Sequence, residues 1–253
     1  MTAAAQRGVA SVEAAAAILR VLRAHNQLVG LQALAAQTGM SASRVHHYMV
    51  SLVRTGLVRQ DPQSKGYVLG AFALELGLAA ADSLSIQHTS AAWLHRLSEQ
   101  TGESSFFAVP SPRGPLIVRW EQGSRPLTVH ARLGTVMPLL NSATGLVWLA
   151  FDRERSLPVL EAELRRIDPA SRQALRRARQ EDAEAVRRAG IARTRGTMIS
   201  NVNALSCPVL TRSRQFAGIL TVLGLGGYFA ADAKGRTARL LRTCAADFGR
   251  TLA

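Results

Sequence analysis

Between residues 11 and 55 the apolar positions recur at helical intervals. Val12, Ala15, Leu19 and Leu22 form one stripe over Ser11–Arg23, and the run His25–Gly30 interrupts it. Leu31, Leu34, Ala35 and Thr38 form a second, shorter stripe. Gly39 can take the left-handed turn that ends a helix, and Ser41 suits the N-cap of the next. A third helix is expected over Ala42–Thr55, with Val45, Met49 and Leu52 on its inner side and Gly56 ending it. There the period shortens. Leu57–Gln60 and Gly66–Leu69 read as two β-runs around the turn-forming cluster "DPQSKG", with Lys65 near the tip. Helix, helix, turn, helix and hairpin in this order predict a winged helix-turn-helix over residues 8–70.

A connector helix is expected next, over residues 71–84. The remainder, 85–253, reads as a second domain. It opens with a helix near Ile86–Gln100, with Ala91, Leu94 and Leu97 on one side. Candidate strands follow in "SSFFAV", "PLIVRWEQ" and "LTVHA". After a turn in "LGTVMP", the run "NSATGLVWLAF" reads as a loop entering a helix. Residues 169–189 form a strongly charged helix, best read as a solvated face with a narrow apolar seam. Strands in "IARTR", "ALSCPVLT" and "FAGILTVLG" precede a closing helix from about Ala230. The fold class is α+β, with an antiparallel sheet flanked by helices in the second domain.

Composition adds partners and a compartment. The chain has 253 residues, is 47% hydrophobic and carries a formal charge of +14. That balance favours polyanions. The excess lies in both parts of the chain: seven basic and three acidic side chains fall within residues 1–80, and 24 and 14 beyond. No signal peptide or membrane-spanning run is read, so a cytoplasmic protein is expected. Cys207 and Cys244 stand outside any CxxC pattern and read as buried, reduced thiols.

The third helix carries the candidate chemistry. His46 and His47 are adjacent, so on a helix they point about 100° apart and cannot chelate one ion. With Val45, Met49 and Leu52 turned inward, Ser43, Arg44 and His47 are left outward near the helix N-terminus. That is where a recognition helix meets base edges. Arg44 has the fork that pairs with guanine, and Ser41 and Ser43 suit phosphate oxygens. Lys65 on the wing is expected to meet phosphate or the minor groove, while Arg59 and Arg54 are weaker phosphate candidates. No metal site, cofactor or catalytic constellation is expected. The six histidines fit no catalytic motif, there is no GxSxG, and "GLGGYF" lacks the setting of a dinucleotide fingerprint. A non-specific architectural DNA binder is the competing reading that the charge allows.

Taken together, "SVEAAAAILRVL", "LQALAAQTGMSASRVHHYMVSLVRTGLVRQD" and "KGYVLGAFALELG" resemble the N-terminal part of the IclR family of bacterial transcriptional regulators. "RLGTVMPLLNSATGLVWLAF", "GIARTRGTMISNVNALSCPVL" and "GILTVLG" are similar, more loosely, to its C-terminal segments. The resemblance implies a repressor or activator whose winged helix is joined by a linker helix to a GAF-like domain that binds a small organic effector. It also implies a homodimer or tetramer on a palindromic operator in double-stranded DNA. Carried onto this chain, the effector pocket would use Ser142, Ala143, Thr144 and Gly145, then Thr194, Val202 and Ala204, and Thr221 and Leu223. Thr194, Arg195, Gly196 and Thr197 stand where the family has an acidic cluster. Leu140, Leu146 and Leu223 replace a histidine, a lysine and a serine. These departures predict an apolar pocket in which Arg195 receives the carboxylate of an aromatic or hydrophobic acid.

Overall fold

A computed structural model describes residues 8–25, 27–83, 86–125, 127, 129 and 131–252, with side chains omitted at 81–83 and 86–88. The chain divides into two compact units, Met1–Leu84 and Ser85–Ala253.

In the first unit, α1 (Ala10–Ala24), α2 (Leu31–Thr38) and α3 (Ala42–Arg54) pack around Ile18, Leu22, Leu34, Val45, Met49 and Leu52. The α1 stripe is shifted in part: Ala15, Leu19 and Leu22 pack into the core as expected, but Ile18 rather than Val12 completes it. Ile18 is fully buried, while Val12 is 65% exposed. Either residue satisfies helical spacing, and contact with α2 and α3 chooses between them. Gly39 ends α2 at φ +68°, and the Ser41 hydroxyl accepts from the Arg44 N–H to cap α3. Strands β1 (Val58–Gln60) and β2 (Tyr67–Leu69) pair antiparallel, Val58 opposite Leu69. Val29 and Tyr67 exchange two backbone hydrogen bonds, which pin the wing to the segment between α1 and α2. The helix α4 (Ala71–Ser83) follows.

The second unit is a five-stranded antiparallel sheet in the order β4-β3-β7-β6-β5. The strands are β3 (Ser104–Val109), β4 (Leu116–Glu121), β5 (Ala192–Arg195), β6 (Val202–Leu210) and β7 (Phe216–Leu225). Side chains alternate between its faces. Phe107, Leu205, Cys207, Leu220 and Val222 pack with α5 (Ile86–Thr101) and α9 (Arg236–Thr251). Phe106, Ala204, Ile219, Thr221 and Leu223 occupy the opposite face, towards α6 (Ala143–Phe151) and the loop ahead of it. Two further helices, α7 (Arg153–Leu164) and α8 (Pro169–Ala189), cover α6. The seam of α8 is as narrow as its sequence implies, Ala183 and Val186 being its buried residues.

One element was not expected, one boundary moves, and one expected strand is not tested. The helix α7 was not foreseen, because Pro158 lies within it and its apolar residues bunch together. The closing helix starts at Arg236 rather than Ala230; Ala231 sits at φ +46° and Gly235 is the N-cap. The expected strand at 127–131 includes residues 128 and 130, which lie outside the described residues.

The shifted stripe of α1 is open to test. Ile18→Ala should cost about 2–5 kcal/mol, whereas Val12→Ala should stay within about 0.5 kcal/mol. Chemical denaturation followed by circular dichroism would distinguish these outcomes, and equal losses would contradict the packing described.

Candidate DNA-reading face and ligand cavity

Helix α3 presents one buried and one open side. Val45, Met49 and Leu52 are 5% exposed or less, and Ser43, Arg44 and His47 are exposed. The Arg44 guanidinium carbon lies 5.9 Å from the centre of the Tyr48 ring, one helical turn on. This contact holds the long side chain along the helix while its nitrogens stay open. The His46 and His47 rings are 6.3 Å apart and tilted by 55°. No cluster of three or more metal-ligating side chains occurs among the described residues.

The wing is a built turn. The Asp61 carboxylate accepts from the Ser64 N–H at 2.8 Å and from its hydroxyl at 2.7 Å. These bonds hold the Asp61 carboxyl below the usual carboxylate range. Gln60 Nε2 donates to the Lys65 carbonyl at 3.1 Å, and Lys65 itself adopts φ +57°. Lys65 and Arg59 are both exposed. The six candidate DNA contacts therefore fall on α3 with its cap, and on the adjoining hairpin.

In the second unit, Ser142, Ala143, Thr144, Thr194, Val202, Ala204, Thr221 and Leu223 line one cavity that opens to solvent. Two predicted residues do not. Arg195 follows Thr194 on β5, so strand alternation turns it away from the cavity. It is exposed, and its Nε donates to the Ala230 carbonyl at 3.2 Å. Gly145 faces the chain behind α6: a Cβ there would stand 2.4 Å from the Pro138 carbonyl oxygen and 2.5 Å from Leu139 Cα. Its role is close packing. Phe106, Met137, Met198 and Ile199 also line the cavity and were missed. "SSFFAV" does not say which phenylalanine takes which face, and Met198 and Ile199 lie in a loop without periodicity.

Among the described residues, none that lines the cavity is charged. Its polar side is a buried hydroxyl cluster: Thr144 to Thr221 at 3.0 Å, and Ser206 to Thr221 at 2.8 Å. The N-terminus of α6 also opens on it. Ser142 caps that helix by accepting from the Gly145 N–H at 2.9 Å, and the Ala143 and Thr144 N–H groups precede the first intrahelical bond. The loop before α6 is held from three sides. The Glu163 carboxylate accepts from the N–H groups of Leu139 and Leu140. Arg179 Nη1 donates to the Leu140 carbonyl, and the Thr197 hydroxyl to that of Asn141.

A winged helix-turn-helix followed by an α+β sheet domain enclosing such a cavity defines a class, that of modular bacterial transcriptional regulators. Residues 11–62 match the IclR helix-turn-helix domain, and residues 78–250 match the bacterial transcriptional regulator IclR C-terminal domain. The chain belongs to the IclR family and is a DNA-binding transcriptional regulator. It is 30% identical over 249 residues to the glycerol operon regulatory protein of Streptomyces griseus, covering 97% of each chain. It is 35% identical to Pseudomonas aeruginosa HmgR, whose crystal structure superposes with a TM-score of 0.56 over 97% of this chain and 100% of that one. An IclR homologue from Microbacterium hydrocarbonoxydans, crystallised with 4-hydroxybenzoate, shares the fold at 18% identity and a TM-score of 0.75, over 95% of this chain and 98% of that one. No helix among the described residues is long and apolar enough to cross a membrane.

The two thiols stand apart from both sites. Burial pushes Cys207 up to about 12 and Cys244 up to about 11, so the unreactive thiol form dominates at neutral pH. Native protein at about pH 8 should react with a disulfide reagent far more slowly than denatured protein, which should release two equivalents per chain. Rapid labelling of the native form would contradict this.

Proposed function

We propose that the chain is a sequence-specific, ligand-responsive regulator that reads its operator through α3 and the wing. The observation carrying this reading is the open Ser43–Arg44–His47 side of α3, opposite a buried Val45–Met49–Leu52 side. Arg44 would take a guanine edge. His47 would reach a base or phosphate. Ser41, Ser43, Arg59 and Lys65 would meet the DNA backbone. Two copies would set recognition helices in successive major grooves, about 34 Å apart, on a palindrome. The exposed Leu74, Leu76 and Leu78 of α4 support association of two chains. The protein would work in the cytoplasm as a dimer or tetramer, without a cofactor.

The effector would enter this cavity. Apolar walls suit an aromatic or hydrophobic body. With Arg195 directed elsewhere, the free N–H groups at the start of α6 are the anchor for a carboxylate. The 4-hydroxybenzoate bound by the Microbacterium homologue supports this choice of ligand class.

Two experiments address these assignments. Operator sequences would first be selected from a random pool. On them Arg44→Ala should lower specific affinity by about 1–3 kcal/mol and relax choice at one base pair. Lys65→Ala should weaken all sequences alike and reduce the salt slope by about one. Unchanged operator preference in Arg44→Ala would reject the docking, and equal competition by random DNA at matched salt would favour an architectural binder. Calorimetry against aromatic and aliphatic acids should then find binding among acids with an apolar body. Binding confined to small, glyoxylate-like acids would reject the effector class.

A further inference from the structure

A second, open cleft lies among α6, α7 and α8 and shares no lining residue with the first cavity. Its aliphatic floor is the partly exposed Leu157, over the buried Leu149 and Leu160. Its rim carries Arg153, Arg179 and Arg187 against one acid, Glu184. The neighbouring carboxylates neutralise only part of this rim, at Arg179. Asp152 is taken by Arg155 at 2.6 Å and by the Trp148 ring N–H at 2.9 Å. Asp182 pairs with Arg179 alone. Arg153 and Arg187 make no side-chain ion pair or hydrogen bond among the described residues. Arg179 Nε is buried and without an acceptor. A buried guanidinium N–H left unpaired is uncommon and costly, and an acceptor from outside the chain would satisfy it.

We propose that this cleft is a second ligand site, for an aliphatic carboxylate whose chain lies along the leucines and whose head meets the arginines. The leucine floor favours such a molecule over a bare anion, which would use the rim alone. Arg179 also gives the site a route to the first cavity. It donates to the carbonyl of Leu140, two residues before Ser142. A carboxylate engaging Arg179 therefore acts on the loop that walls the first cavity, and any coupling between the two is reciprocal.

The probe is octanoate, titrated by calorimetry into the full-length protein, with inorganic phosphate in parallel. Octanoate should bind, and Arg153→Glu and Arg187→Glu should each weaken it by about ten-fold. Arg187→Lys should keep most of the affinity, and unchanged melting curves should show that the variants remain folded. Leu223→Trp, which fills the first cavity, should leave octanoate binding intact. The proposal is overturned if octanoate does not bind. It is also overturned if Leu223→Trp abolishes binding while the arginine variants do not, because octanoate then occupies the first cavity. Phosphate binding as tightly as octanoate, with the same sensitivity to the arginine variants, would reduce the cleft to a bare anion rim and reject the carboxylate assignment.

Discussion

Backbone period is the constraint behind both candidate sites. Once one residue of a helix or strand is buried, the directions of its neighbours follow. In α3 the burial of Val45, Met49 and Leu52 leaves Ser43, Arg44 and His47 no inward option. In the sheet, packing Phe107, Leu220 and Val222 against α5 and α9 turns Phe106, Thr221 and Leu223 to the other face. Apart from Lys65 at φ +57°, neither site rests on an unusual backbone geometry. Each is the remainder of a packing problem solved on the opposite side, so it persists as long as that packing does.

The described walls of the cavity are apolar or neutral. A buried arginine there would have to be desolvated and paired, at a cost of several kcal/mol. The start of α6 offers oriented N–H groups whose dipoles the fold has already aligned. The Glu163 and Arg179 contacts keep the preceding loop in place. By contrast, Arg195 on the outer side of β5 remains solvated and bonds only to a backbone carbonyl.

Much of the DNA-binding unit was legible in the chain, because its signals are local. Gly39, Ser41 and Gly56 mark turns and a cap, and the change from helical to alternating period marks the wing. The α1 stripe held in part. Ala15, Leu19 and Leu22 pack into the core as expected, but the position of α2 and α3 leaves Val12 outside and puts Ile18 at the centre. The cavity divided in the same way. Resemblance to the family carried eight positions into one cavity, but strand parity removed Arg195 and a backbone contact claimed Gly145.

The amino-acid order by itself determined the kind of element at most positions, the caps that begin and end several of them, and the outward side of α3. These depend on residues within a turn or two of one another. Tertiary structure decided that Ile18 rather than Val12 completes the α1 stripe, which of Phe106 and Phe107 faces the cavity, and that Arg179 reaches the Leu140 carbonyl across 39 positions of chain. Those outcomes depend on contacts between segments distant in sequence. Local spacing places a side chain on one side of its own element, but only the neighbouring element determines whether that side is buried or open.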